Sequence, residues 1–192
     1  MTLCFATNNR NKIREIAALV GDEFIIKTMK EAGIKEDIEE TGTSLEENSS
    51  LKARYVFDRT GLPVIADDSG LEVRALGGEP GVHSARYAGA QRSDRDNIGK
   101  LLVELEGEMD RDARFRTVIT FLDDMGESQF EGIVEGRIIE MERGSGGFGY
   151  DPVFIPAGYD RTFAEMPLNQ KNQMSHRSRA FQKLVGFLKN ER

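Results

Sequence analysis

Short apolar runs alternate along this chain with stretches whose apolar residues recur every three or four positions, and the two periods predict strands and helices in turn. Thr2 to Ala6 reads as a buried strand. From about Arg10, the residues Ile13, Ile16, Ala17 and Val20 fall at helical spacing; Gly21-Asp22 ends that helix, and Glu23 to Met29 is a second strand. Ser44-Leu45-Glu46-Glu47 has the form of a capping box and opens a helix that runs to about Arg59. Val64-Ile65-Ala66 closes a third apolar strand, with Ser69-Gly70 as the turn after it. Ser93 caps a helix carrying Ile98, Leu101, Leu102 and Leu105. Ala113 to Leu122 alternates, with Phe115, Thr117, Ile119 and Phe121 on one side, and Gln129 to Glu140 is its hairpin partner across the turn Asp123 to Gly126. Ser175 starts a last helix with the stripe Ala180, Phe181, Leu184, Val185 and Leu188. Strands and helices alternate early and a long antiparallel pair follows, so the expected architecture is α/β with a mixed sheet.

Nothing in the 192 residues divides them: no repeat, low-complexity tract or linker appears, and the length suits one domain spanning 1–192. A hydrophobic content of 39% with 31% charged residues describes an ordinary globular protein. No run approaches a membrane span, and Met1 to Phe5 lacks a signal peptide's basic start, so a cytoplasmic location is expected. Cys4 is the only cysteine, which excludes an internal disulfide and a thiolate zinc site; its apolar setting marks it as a core residue. The net charge of −7 disfavours a nucleic-acid polymer, whose binding depends on neutralising many phosphates. A local cluster of cations still suits a small phosphorylated ligand.

Asp67-Asp68 places two carboxylates where the third apolar run stops. In an extended backbone they face opposite ways, so only one looks into a cleft, where Mg²⁺ is its natural partner. An isolated Asp-Asp-Ser-Gly reads equally as an Asx-turn or helix cap. Thr7-Asn8-Asn9-Arg10-Asn11-Lys12 joins the first strand to the first helix, a setting that suits a phosphate or simply a polar capping loop. Asn48 and Lys52 lie four apart and share one helix face, while Glu39 and Glu40 sit in an acidic run of the kind that is usually solvated. Gly144 to Pro152 contains a G-x-G-x-x-G pattern, but extended residues follow it and no helix, so the dinucleotide reading fails. The loop is better suited to enclosing a flat ring with Phe148, Tyr150 and Asp151, or to a plain connection with core aromatics. Lys171 and Ser175-His176-Arg177 put donors at the start of the last helix.

Taken in order, these pieces resemble the inosine triphosphate pyrophosphatase family, also called XTP/dITP diphosphatases. The matching residues are Thr7-x-Asn9-x-x-Lys12-x-x-Glu15, Glu46-Glu47-Asn48 with Lys52-Ala53, and Ala66 to Leu71. They continue with Leu76 to Gly81, Ser84 to Tyr87, Gly146 to Pro152, Phe163 to Met166, and Ser175-His176-Arg177. The resemblance implies a single domain with an elongated mixed sheet flanked by helices and an active-site cleft between two lobes. It implies hydrolysis of ITP, dITP and XTP to the monophosphate and pyrophosphate, with Mg²⁺ as cofactor and a homodimeric assembly. By resemblance, Asp68 is magnesium ligand and proton acceptor, Glu39 (or its neighbour Glu40) a second acidic ligand, and Lys52 a catalytic phosphate contact. Thr7, Asn8, Asn9, Arg10, Asn11 and Lys12 correspond to the triphosphate cradle. Ser69, Phe148, Gly149, Tyr150, Asp151, Lys171, His176 and Arg177 correspond to further substrate contacts. Three departures from the family's commonest pattern, Ser49, His83 and Ser178, remove none of these groups.

Overall fold

The computed structural model describes residues 1–20 and 24–191; the helix end expected at Gly21-Asp22 lies outside them. Six strands form one sheet in the order β2-β1-β3-β4-β5-β6: β1 Thr2–Phe5, β2 Ile25–Thr28, β3 Val64–Val73, β4 Asp112–Asp123, β5 Gly126–Ile138 and β6 Phe154–Pro156. β1 runs parallel to β2, with Thr2 opposite Ile25, and parallel to β3, with Cys4 opposite Val64. β6 is antiparallel to β5, so the sheet is mixed, as the sequence predicts. The helices are α1 Arg10–Ala17, α2 Leu45–Thr60, α3 Asp94–Glu104, the single turn α4 Leu168–Lys171, and α5 His176–Glu191.

The chain groups into two compact units. The first comprises Met1–Asp68, Thr117–Gly132 and Arg177–Arg192; the second comprises Ser69–Arg116 and Ile133–His176. In the first unit, alternate residues of β1 and β3 feed two separate cores. Leu3, Phe5 and Ile65 pack with Ile16 of α1 and with Ala180, Phe181 and Leu184 of α5. Cys4, Ala6, Val64 and Ala66 pack with Ala53 and Val56 of α2. Burial on both faces is why these strands are continuously apolar in sequence. In the second unit, Leu71, Val73, Phe115 and Val134 pack under Ile98, Leu101 and Leu105 of α3. The intervening strand residues there are charged, and a cavity of about 580 Å³ opens among Glu72, Arg114, Glu135, Arg137, Pro156 and Tyr159. Gly78 of the Leu76 to Gly81 motif lines it, but none of the residues to which the sequence assigns a catalytic, binding or metal role does.

One expectation is overturned. β3 does not stop at Ala66, and Ser69-Gly70 is not a turn; the strand runs through both to Val73. Gly70 is a strand glycine because another backbone closes on it: a Cβ there would lie 2.4 Å from the Gly81 carbonyl oxygen. Next to it, the Leu71 N–H is taken by Ser84 Oγ at 2.9 Å. The acidic pair therefore sits in the middle of a strand and not beyond its end.

Two outcomes follow from these packing constraints. Gly70→Ala forces a methyl group against rigid backbone and is expected to destabilise the protein by about 2 kcal/mol or more, read from urea unfolding midpoints; an unchanged midpoint refutes the contact. Burial pushes the Cys4 thiol up to about 11, so at pH 8 it stays protonated and inert. Reaction with a disulfide reagent should be negligible in the native protein and complete in guanidinium; rapid native labelling contradicts the buried placement.

Candidate active site

Asp67 and Asp68 point to opposite faces of β3, as consecutive strand residues must. Asp68 Oδ1 accepts from Lys52 Nζ at 2.9 Å, and Oδ2 accepts from Asn48 Nδ2 at 3.3 Å. Lys52 Nζ also donates to Glu40 Oε1 at 2.8 Å, so two carboxylates converge on one ammonium. Helix α2 brings Asn48 and Lys52 to Asp68 from one face, as their spacing predicts.

Several local bonds set that helix in place. Ser44 Oγ accepts the Glu47 N–H at 3.1 Å, while the Glu47 carboxylate reaches one residue further back than a capping box requires, to the Thr43 N–H at 2.6 Å. Asn48 Oδ1 accepts the Gly42 N–H at 2.8 Å, tying the loop that carries Glu40 to α2. Ser49 Oγ donates to the Ala66 carbonyl at 3.0 Å and accepts the Thr120 N–H at 3.0 Å, seating the helix on β3 and β4.

Asp67 serves the other face. It lies 3.1 Å from Lys12 Nζ and accepts from Arg177 Nε at 3.0 Å; Arg177 Nη1 in turn bonds Glu15. Both Asp67 and Arg177 are essentially inaccessible, at 0% and 1% exposure. Burial works to raise the Asp67 pKa, but Lys12 and Arg177 outweigh it and hold the carboxyl well below the usual range. Arg177 is held charged despite burial, by Asp67 and Glu15. For Lys12, burial wins over Asp67 and lowers its pKa. Burial raises Asp68 against the pull of Lys52, and Lys52 is raised because Asp68 and Glu40 outweigh its own burial. Together the three cations Lys12, Lys52 and Arg177 meet four carboxylates, Asp67, Asp68, Glu15 and Glu40.

The loop before α1 is arranged around its cap. Asn9 Oδ1 accepts the N–H of Asn11 and Lys12, and Thr7 Oγ1 accepts the Asn9 N–H at 3.1 Å. Asn8 Nδ2 is bonded to Asp37 at 2.8 Å, and Arg10 is exposed. The attraction this segment holds for an anion therefore rests mainly on Lys12 and the positive end of α1. Glu39 is exposed, and it is Glu40 that reaches Lys52.

Within the second unit, Ser69 is half-buried on β3. Gly144, Gly147 and Gly149 all have positive φ. The Asp151 carboxylate lies under the loop, accepting from Lys171 Nζ at 2.5 Å and from the Phe148 N–H at 2.9 Å. A Cβ at Gly147 would lie 2.0 Å from Asp151 Oδ2, so only glycine fits there. Phe148 is half-buried with Lys171 Nζ 5.1 Å from its ring centroid. Tyr150 is not presented to a ligand: it belongs to the core and donates its hydroxyl to the Ser84 carbonyl at 2.9 Å. His176 is buried and stacks on Phe115, centroids 4.7 Å apart.

Sequence reasoning assigned no role to Glu15 or Asp94. Glu15 lies three residues after Lys12, beside Ile16 on the buried side of α1, and an acid among apolar neighbours was the available signal. Asp94 gave none, since an acid in a first helical turn is ordinary.

The fold and site define an α/β protein whose acid and lysine centre is carried on a mid-sheet strand and on the helices packed against it. The sequence profile of the Ham1 family matches residues 3–187. The dITP/XTP pyrophosphatase of Porphyromonas gingivalis is 51% identical over 187 residues, covering 97% of this chain and 96% of that protein. That of Christiangramia forsetii is 48% identical over 188 residues, covering 98% and 99%. The Staphylococcus aureus Ham1 protein structure superposes with a TM-score of 0.91 at 42% identity, covering 100% of both chains. The chain belongs to the Ham1 family.

Removing one partner from a buried charge network leaves the others uncompensated, so Asp67→Asn should destabilise the protein by about 3 kcal/mol or more at pH 7. The folded Asp67 pKa lies below its unfolded value, so the unfolded state binds the extra proton. The carboxylate's contribution is complete above pH about 5 and is lost as pH falls further. The stability gap between wild type and Asp67→Asn, from urea titrations, should therefore narrow between pH 5 and the acid limit. A gap of constant size refutes the network's electrostatic basis.

Proposed function

We propose that the chain is a Mg²⁺-dependent nucleoside triphosphate pyrophosphatase that hydrolyses ITP, dITP and XTP to the monophosphate and pyrophosphate. The observation that carries the reading is the convergence of Asp68 and Glu40 on Lys52, in a chain whose relatives carry the name dITP/XTP pyrophosphatase.

The donor set fits a divalent cation. Asp68 and Glu40 are hard oxygen ligands that meet at Lys52, and Mg²⁺ commonly takes one or two carboxylates with the rest from phosphate and water. Asp68 and Glu40 are thus the residues that would hold the ion, with Glu40 preferred to Glu39 on its placement. When bound, the ion neutralises phosphate charge and orients the triphosphate.

Lys12 and Lys52 each retain N–H donors beyond those spent on carboxylates, and they offer these to the phosphates. Asp68 takes the proton of a water whose oxygen bonds to the α-phosphorus; the bond from that phosphorus to the bridging oxygen breaks, and its electron pair leaves with pyrophosphate. Phe148 stacks on the purine, while Lys171 and His176 donate to its 6-oxo oxygen. Arg177 has Nε and Nη1 committed to Asp67 and Glu15, so its part in the proposal is to hold Asp67 and, through it, Lys12. Adenine carries an amino donor at position 6 and leaves such donors unpaired, which accounts for discrimination against ATP. A homodimer in the cytoplasm completes the proposal; no described helix is long and apolar enough to cross a membrane.

A panel of ITP, XTP, dITP, ATP and GTP with and without Mg²⁺ tests the reading. Pyrophosphate released from ITP, with little from ATP, is the expected result; inorganic phosphate as first product, or tight binding without turnover, overturns it. Asp68→Asn should lower kcat by at least about a thousandfold with its circular dichroism spectrum unchanged, and near-normal turnover removes Asp68 from the chemistry.

A further inference from the structure

The glycine-rich loop is fastened at one peptide plane by a residue that the proposed chemistry leaves unused. Gly149 donates its N–H to Asp94 Oδ2 at 2.7 Å, from the first turn of α3. On the other edge of the same plane, the Phe148 carbonyl accepts the Asp151 N–H at 3.3 Å. A trans peptide carries its C=O and N–H on opposite edges, so the two bonds together fix its orientation, and with it ψ of Phe148 and φ of Gly149. Gly149 stands at φ +60°, a position from which an untied glycine moves freely to others. The neighbouring Phe148 N–H is already fixed to Asp151, which is buried and paired with Lys171. Asp94, by contrast, is exposed and lies 55 residues away in sequence, and it ties the loop to α3. Its charge is felt at the next residue: burial first, and then Asp94, raises the Tyr150 phenol.

We infer that Asp94 is a positioning residue for substrate: by accepting the Gly149 N–H it holds the Phe148 ring at the angle at which it stacks on the purine. The inference rests on the reading of Phe148 as the stacking residue.

The test compares the intact wild-type enzyme with Asp94→Ala and Asp94→Asn. The readouts are hydrogen exchange of the Gly149 amide, ITP kinetics and thermal unfolding. Loss of a charged acceptor should speed Gly149 exchange and raise KM for ITP about tenfold in Asp94→Ala, with kcat within about twofold. Because Asp94 is exposed, Tm should move by no more than about 2 °C. Asp94→Asn keeps an acceptor oxygen and should recover most of the affinity. An unchanged KM in Asp94→Ala, or unchanged Gly149 exchange, overturns the inference. So does a KM rise that comes with faster exchange throughout α3, which marks general loosening. Failure of the functional reading looks different: the wild-type enzyme itself leaves ITP intact, and the inference falls with it.

Discussion

Two carboxylates placed back to back on β3 organise the first unit. Side chains alternate along a strand, so Asp67 shares its face with Ile65 and Asp68 shares its face with Val64 and Ala66. Ile65 belongs to the core formed with α1 and α5, and those are the helices that send Lys12, Glu15 and Arg177 to Asp67. Val64 and Ala66 belong to the core formed with α2, the helix that sends Asn48 and Lys52 to Asp68. Each ion cluster thus continues an apolar core at the point where the strand changes from apolar to acidic. The apolar packing supplies the free energy that holds the helices in place, and the charges inherit the positions that packing sets.

Stability alone does not explain such a cluster. Desolvating charges costs about as much as their mutual attraction returns, and buried ion pairs replaced by apolar groups often leave a protein no less stable. The arrangement around Asp67 makes sense as positioning. Arg177 is gripped by two carboxylates, Asp67 is gripped by two cations, and Lys12 is the member with 15% of its side chain exposed. The inner three hold the outer one at a fixed point, so that it need not reorganise when an anion arrives.

Much of this was legible in the chain because it depends on local rules. The Ser44 and Ser93 caps, the β4–β5 hairpin, and the reach of Asn48 and Lys52 from one helix face all follow from spacing. The sequence misled where distant backbone intervened. Ser69-Gly70 has the composition of a turn, yet it lies within a strand because the residue 81 backbone needs the space that a side chain would fill. Tyr150 looked available for a flat ligand in a glycine-rich setting, whereas its hydroxyl satisfies a carbonyl 66 residues earlier. The Arg177–Glu15 pair spans 162 residues, and no local period carries that information. Glu39 and Glu40 could not be separated by composition; the reach of one carboxylate to Lys52 separates them.

The choice of lysine at the two working positions follows from the same bookkeeping of donors. A lysine ammonium has three N–H groups, and a neighbouring carboxylate uses one of them. Lys52 donates to Asp68 and to Glu40 and keeps a third; Lys12 meets Asp67 and keeps two. Each lysine is therefore anchored by an anion and still able to receive another, so a phosphate need not displace the carboxylate that positions its partner. An arginine satisfies the same carboxylates with a rigid planar fork, which suits Arg177, whose task is to lock two acids together. Among the described residues, fixed carboxylates, compact ammonium groups with spare donors, and a buried guanidinium behind them make a cluster whose members hold one another in place. On the proposed reading, a triphosphate would meet those spare donors, and a divalent cation held by Asp68 and Glu40 would add the positive charge that a polyanion needs.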